Sequence, residues 1–197
     1  EIEAVRKILQ NSFTIQQGKG SAVKSEYAPW LQARKSTIDF YYWNRLRNYL
    51  IADDALPPNV ISTLDNVTDE ILDYCGAPDD TGFWNRRGMV IGHVQSGKTT
   101  NYSALICKAA DAGYRIIIVL AGLTNILRAQ TQERLEETFI GKRALFQHVA
   151  GGYLRILNFA EVNRFPSCGT SRANDFNRTI ARNYGVTMAG LAVPIIF

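Results

Sequence analysis

The sequence has few of the residues that build metal sites or disulfide frameworks. Its three cysteines, Cys75, Cys107 and Cys168, form no CxxC pair and leave an odd number for disulfide pairing. Only two histidines accompany them, far apart in the chain. We therefore expect neither a zinc site nor a secreted disulfide scaffold, but reduced thiols in a cytoplasmic protein.

Long apolar runs are also missing. No uninterrupted apolar segment approaches the roughly 20 residues of a membrane-spanning helix, and the N-terminus lacks the basic-then-apolar layout of a signal peptide. The 197 residues are 46% hydrophobic and 20% charged, which is enough for one substantial core. These features predict an ordinary globular protein with no membrane partner.

Charge is distributed unevenly along the chain. Residues 1–85 carry 8 basic and 12 acidic side chains, for a net charge of −4. Residues 86–143 carry 9 and 4, and residues 144–197 carry 5 and 2, for net charges of +5 and +3. A basic segment suits a polyanion such as a nucleotide or a nucleic acid, although scattered, solvated charge gives the same balance.

Hydrophobic periodicity divides the chain into two regions. Residues 1–80 predict a helical N-terminal region, with one helix over 36–52 after a candidate N-cap, Ser36, and another over 61–75 that ends at Gly76. The turn-rich segment "GAPDDTG" marks the boundary with the second region, residues 81–197.

The second region alternates apolar runs with amphipathic segments. The predicted strands are "GMVIG", "RIIIVLAG", "YLRILNF" and "LAVPIIF", with helices in "TTNYSALICKAADAG", "NILRAQTQERLEETF" and "DFNRTIARNYG". This order predicts an α/β fold, a P-loop NTPase (RecA-like) parallel sheet with crossover helices. Because the last apolar run ends the chain, we expect a sheet truncated at its C-terminus and a longer parent polypeptide.

Residues 92–99, Gly-His-Val-Gln-Ser-Gly-Lys-Thr, match the phosphate-binding pattern G-x-x-x-x-G-K-[ST] between a predicted strand and a predicted helix. Backbone N–H groups of such a loop wrap a triphosphate, and the helix N-terminus adds its positive dipole end. Lys98 is the expected catalytic charge on the β and γ phosphates, and the catalytic Thr99 hydroxyl is the expected Mg²⁺ ligand. The predicted ATP-binding residues are Gly92, Gln95, Ser96, Gly97, Lys98, Thr99 and Thr100.

Neighbouring residues leave alternatives open. His93 lies inside the loop, where a solvent-facing or packing histidine competes with a proton-transfer role. Trp84, Arg86 and Arg87 precede the predicted strand and could hold the base of a nucleotide or pack the two regions together.

Hydrolysis also requires an acidic residue at the end of a second apolar strand, to hold Mg²⁺ and orient water. After Thr99 no acid directly follows an apolar run. We therefore expect this chain alone to bind nucleotide without efficient hydrolysis.

A second candidate binding segment is "VLAGLTNILRAQTQERL", residues 119–135, which follows a predicted strand. Thr124 and Asn125 can cap a helix after an apolar strand, and Arg128 lies on its polar side. Such strand ends bind ligands in open α/β sheets, so these three residues are candidate contacts to a DNA phosphate backbone. An ordinary N-cap on a solvated helix is the alternative.

The segment "RRGMVIGHVQSGKTTNYSALICKAADAGYRIIIVLAGLTNILRAQTQERLEETFIG" resembles the Z-one domain family (endonuclease Z-one domain), whose bacterial members have a helicase-like, superfamily-two P-loop core. The resemblance covers about 84–141 and extends weakly to "NVTDEILDYCG". The family's nucleotide loop is matched by Gly92 to Thr99. The family's A-G-x-x-N-x-L-R-x-Q-T-x-x-R stretch is matched by Ala121, Gly122, Asn125, Leu127, Arg128, Gln130, Thr131 and Arg134.

The resemblance implies ATP hydrolysis coupled to DNA-directed work in restriction-like, anti-phage or repair systems, often beside a MORC-type ATPase. Later helicase motifs, a second lobe and any nuclease centre are expected beyond Phe197. The leading hypothesis is the ATP-binding part of a DNA-acting ATPase. The alternatives are a nucleotide-dependent regulatory or assembly switch without DNA binding and a small-molecule kinase.

Overall fold

The computed structural model describes residues 27–82, 85–92, 97–122, 124–144, 153–155, 167–171, 177–180, 182 and 195–196, and these are mostly helical. The helices are α1 Leu31–Arg34, α2 Tyr41–Ala52, α3 Pro58–Cys75, α4 Lys98–Asp111 and α5 Asn125–Leu135. A 3₁₀ turn, Lys35–Thr37, follows α1, and a π-helical turn, Glu136–Ile140, continues α5. The strands are β1 Ile116–Ile117, β2 Lys142–Ala144, β3 Tyr153–Arg155, β4 Ser167–Cys168 and β5 Ile195–Ile196.

Helix α2 begins later than its sequence predicts. Ser36 lies in the 3₁₀ turn and is not the N-cap, and Phe40 at the cap position contributes no side-chain hydrogen bond. The first turn is instead capped by a distant side chain, since the carboxylate of Asp111 accepts hydrogen bonds from the Tyr42 and Trp43 amides at 2.8 and 2.9 Å. A tertiary contact therefore sets where α2 starts.

Helix α3 follows its sequence pattern closely. It begins at Pro58, where the missing N–H costs nothing, and it stops at Gly76, whose φ of 90° suits glycine. Thr68 is fully buried on its inner face, and its hydroxyl donates to the Leu64 carbonyl at 2.7 Å. That bond satisfies the polar group inside the core.

One hydrophobic core joins residues from both predicted regions. Helix α4 packs against α2 and α3, and the π-helical turn closes the same core. Its fully or nearly fully buried members include Leu46 and Leu50 of α2, Ala104 and Cys107 of α4, and Phe139. Residues of α4 therefore owe their position to the N-terminal helices.

The predicted P-loop NTPase fold, with a parallel sheet and crossover helices, is wrong. The described part of the chain is mostly helical, and its strands have only two or three residues. Strand β5 pairs in parallel with β1 and β4, whereas β2 and β3 form a separate antiparallel pair. The predicted first strand, 88–92, has no strand structure.

The physical reason lies in which apolar residues are buried. Met89 and Ile91 are 83% and 84% exposed, and Leu120 is 93% exposed. A short apolar run indicates a tendency to be buried, but it does not determine which other segment of the chain packs against it. Among the described residues the helices bury one another, and of the two predicted strands at 88–92 and 115–122 only Ile117 and Val119 pack, partly buried, against the core.

Other predicted elements have mixed outcomes. The helices predicted after the loop and after Gly122 are present as α4 and α5, and Gly113 follows α4 with a positive φ of 104°. Most of "YLRILNF", "DFNRTIARNYG" and "LAVPIIF" lies outside the described residues. Among the helices of the described segments, none combines the length and apolar character that crossing a membrane requires.

Candidate phosphate-binding site

The end of the glycine-lysine loop forms a helix start. Gly97 is the N-cap of α4 and has a left-handed backbone, with φ 73° and ψ 24°. A Cβ added to Gly97 would meet no atom within 4 Å, so the conformation and not crowding favours glycine at this position. The sequence places the residue type that this turn needs directly before Lys98.

Lys98 connects the two ends of the loop. Its exposed Nζ donates a hydrogen bond of 2.8 Å to the carbonyl of Gly92, the first residue of the motif. The ammonium group therefore lies beside the backbone of Gly92 and is exposed, so an incoming anion could accept from it. Gln95 and Ser96, together with His93 and Trp84, lie outside the described residues.

The first turn of α4 is electropositive. It contains no acidic residue, and Gly97 supplies no side-chain cap. The first helical hydrogen bond runs from the Asn101 amide to the Gly97 carbonyl at 2.9 Å, so the amides of residues 98–100 point out of the helix end. Thr99 is exposed there and Thr100 is half-buried. This arrangement suits a polyphosphate.

A magnesium nucleotide fits these groups in part. Within the described segments, no group of three or more His, Cys, Asp or Glu side chains is placed to hold a metal ion. Thr99 Oγ1 is the hydroxyl that the motif would offer to Mg²⁺, and the ligand's own phosphate oxygens would complete much of the coordination sphere. Lys98, Gly97 and the exposed helix end would hold the phosphates.

Lys108 anchors the middle of α4. Its side chain is fully buried, and Nζ donates to Asp65 Oδ1 and Asp69 Oδ1, each at 2.5 Å, and to the Asp65 carbonyl at 2.7 Å. Nζ also lies 4.8 Å from the centroid of the Trp43 ring. Two carboxylates on α3 compensate the buried charge of Lys108. Lys35 pairs with the other carboxylate oxygen of Asp69, Oδ2.

Asp111 ends α4 and caps α2. Burial raises the pKa of its carboxyl from 3.8 to about 7, although hydrogen bonds from the Trp43 and Tyr42 amides oppose that rise. Asp39 raises the pKa further. The neighbouring Cys107 thiol is fully buried, which raises its pKa well above the usual value.

The candidate DNA-contacting residues occupy the start of α5. Thr124 is its N-cap, and the hydroxyl accepts from the Leu127 amide at 3.3 Å. Asn125 is the first helical residue and is exposed. Arg128 is half-buried, and its guanidinium donates to the Ser171 carbonyl at 3.0 Å. The structure therefore gives Thr124 and Arg128 structural contacts, whereas the side chains of Arg86 and Arg87 are exposed.

The roles of Lys108 and Asp111 are not among the sequence-based predictions. A signal was present, since both charged residues follow Ala104 and Cys107 at helical spacing on the face that becomes buried. A charge on an apolar helix face indicates a buried partner. The identity of the partners, on α2 and α3, depends on the tertiary packing.

Comparisons with known proteins add no relative. No family model matches the chain. No curated protein and no solved structure matches it either.

Proposed function

We propose that this chain binds the triphosphate of ATP, with Mg²⁺, through the loop from Gly92 to Thr100. The observation that carries the proposal is the helix start at Gly97 and Lys98, where the Lys98 ammonium reaches back to the Gly92 carbonyl. A phosphate oxygen is a stronger acceptor for an ammonium than a neutral carbonyl, and it would also meet the outward-pointing amides. The proposal requires only this loop and helix.

The wider role that we propose is the ATP-binding part of a DNA-acting, helicase-like ATPase in a bacterial defence or repair system. The basic balance of residues 86–143 and the resemblance of 84–141 to the Z-one domain family support it. A MORC-type ATPase partner and a cytoplasmic location belong to the same proposal.

Calorimetric titration of the 197-residue chain with ATP and Mg²⁺ tests the binding proposal. Lys98→Ala removes the ammonium group and leaves the backbone of the helix start in place. Because a hydrogen bond to a charged group contributes about 1.5–3 kcal/mol, we expect the variant to bind roughly 10- to 100-fold more weakly.

Arg134→Ala is the matched control, since it also removes one positive charge. Its side chain is exposed on α5 and pairs with Glu137. We expect it to bind ATP as the wild type does. Equal affinities of wild type and Lys98→Ala would exclude the proposed site.

A further inference from the structure

Helix α4 is held in the protein by its C-terminal two-thirds. Lys98 and Thr99 are exposed, and the buried residues of the helix begin at Ser103. The end that would bind phosphate therefore projects from the core, and its position depends on contacts further along the same helix.

Two charged residues fix that distal part. Lys108 donates to Asp65 and Asp69 on α3, and Asp111 accepts from the first turn of α2. They lie one turn apart on α4 and contact two different helices. Together they fix both the placement and the tilt of α4 against the N-terminal helices.

A helix transmits such a constraint along its axis. At 1.5 Å per residue, Lys98 and Asp111 are separated by about 20 Å. Because the backbone hydrogen bonds keep a helix of this length stiff, a change in tilt at the Asp111 end displaces the Lys98 end. The position of α4 therefore affects both the ligand contacts at Lys98 and the hydrogen bonds between Asp111 and the first turn of α2.

We propose that Asp111 is a positioning residue for the phosphate site and acts through α4. Docking of the first turn of α2 on Asp111 and ligand binding at Lys98 stabilise the same placement of the helix. The inference rests on the proposed function. Linkage makes the coupling reciprocal, so bound ligand also stabilises the cap on α2.

Asp73 provides a matched comparison within the same chain. Its Oδ1 accepts from the Trp30 and Leu31 amides at 2.8 and 2.7 Å, which is the same kind of cap at the start of α1. Asp73 belongs to α3, however, and not to the helix that carries Lys98. A loss of this cap should leave the phosphate site unchanged.

Hydrogen exchange of the wild-type chain gives the first test. We expect ATP with Mg²⁺ to slow exchange of the Tyr42 and Trp43 amides several-fold and to leave the Trp30 and Leu31 amides unchanged. A structural role of Asp111 alone would not produce this difference. Unchanged exchange at Tyr42 and Trp43 with ATP bound overturns the inference.

The second test compares the ATP affinities of Asp111→Asn and Asp73→Asn at about pH 8, where the Asp111 carboxylate is ionised in the folded chain. Couplings between two sites typically change affinity by about fivefold or more, so we expect Asp111→Asn to bind ATP about fivefold more weakly and Asp73→Asn to bind it as the wild type does. Equal affinities overturn the coupling. If Asp111→Asn does not fold, the hydrogen-exchange experiment on the wild-type chain tests the coupling by itself.

The two proposals fail in different ways. A wild-type chain that does not bind ATP overturns the proposed function, and the coupling with it. A wild type that binds ATP through Lys98, with no effect at Tyr42, Trp43 or Asp111, overturns the coupling alone.

Discussion

Asp111 shows how one buried carboxyl combines opposing effects. Removal from water disfavours its charged form, whereas two backbone amides of α2 donate to that form. Burial is the larger effect, and the pKa rises to about 7. Asp39, Arg45 and Cys107 are the charged or titratable neighbours that interact with it.

The raised pKa predicts how stability depends on pH. Since the pKa of Asp111 in the folded chain exceeds the unfolded value, the folded state holds this proton more tightly. The resulting stabilisation is complete below about pH 4 and is lost as the pH rises through about 7. We expect the free energy of unfolding to fall between about pH 5 and pH 8 in the wild type, and less steeply in Asp111→Asn. Urea titrations at both pH values measure the difference.

Asp79 offers a control for that experiment. Its hydrogen bond with Arg34 lowers its pKa, so its contribution is lost only at more acidic pH. Asp79→Asn should therefore keep the wild-type change between about pH 5 and pH 8. The explanation by Asp111 fails if Asp111→Asn also keeps the full change.

At the scale of single elements, the helix starts differ in where their caps come from. Helix α5 is capped locally by Thr124, which its sequence predicts. Helices α1 and α2 are capped by Asp73 and Asp111 from other helices. Local caps can be identified in the sequence, whereas these remote caps require the packed structure.

The local cap of α5 can be tested by Thr124→Ala. The substitution removes the acceptor for the Leu127 amide and should cost about 1 kcal/mol of stability. Urea unfolding followed by circular dichroism measures it. Thr131 lies within the same helix and donates to the Leu127 carbonyl, so Thr131→Ala serves as the control. Its effect should stay within about 0.5 kcal/mol, because alanine is the better helix former. Similar losses in both variants would argue against the cap.

At the scale of the whole molecule, Arg128 has two competing roles. The sequence predicts a contact to a DNA phosphate, whereas the structure shows a contact within the protein. Its guanidinium links α5 to the segment 167–171 through the Ser171 carbonyl. An arginine used in this way stabilises the fold. The exposed Arg86 offers a positive charge that packing does not bury.

A salt titration of DNA affinity distinguishes these roles. We expect Arg128→Ala to lower the melting temperature by several degrees and to leave the salt dependence of DNA binding unchanged. We propose the exposed Arg86 as an alternative phosphate contact, so Arg86→Ala should keep the melting temperature and reduce the salt slope by about one, because each phosphate contact releases a counterion. A reduced slope in Arg128→Ala at an unchanged melting temperature would instead identify Arg128 as the phosphate contact. DNA affinity that does not depend on salt in the wild type would argue against a DNA backbone interface.

The sequence by itself determined four of the five described helices, several of their ends and the residue types at the start of α4. Periodicity locates α2, α3, α4 and α5, and glycines end α3 and α4, because these signals act within one or two turns of the chain. The motif likewise places a left-handed glycine and a lysine at the start of α4. The binding role of that loop stays a prediction.

Only the tertiary structure decided which apolar segments are buried and which charges meet. The predicted sheet is wrong because pairing of distant strands is not encoded in a short apolar run, and Met89, Ile91 and Leu120 remain exposed. Lys108 meets Asp65 and Asp69, and Asp111 meets the start of α2, across dozens of residues. Such contacts form because burial of the helix faces brings distant residues together, and a buried charge is stable only beside its partner.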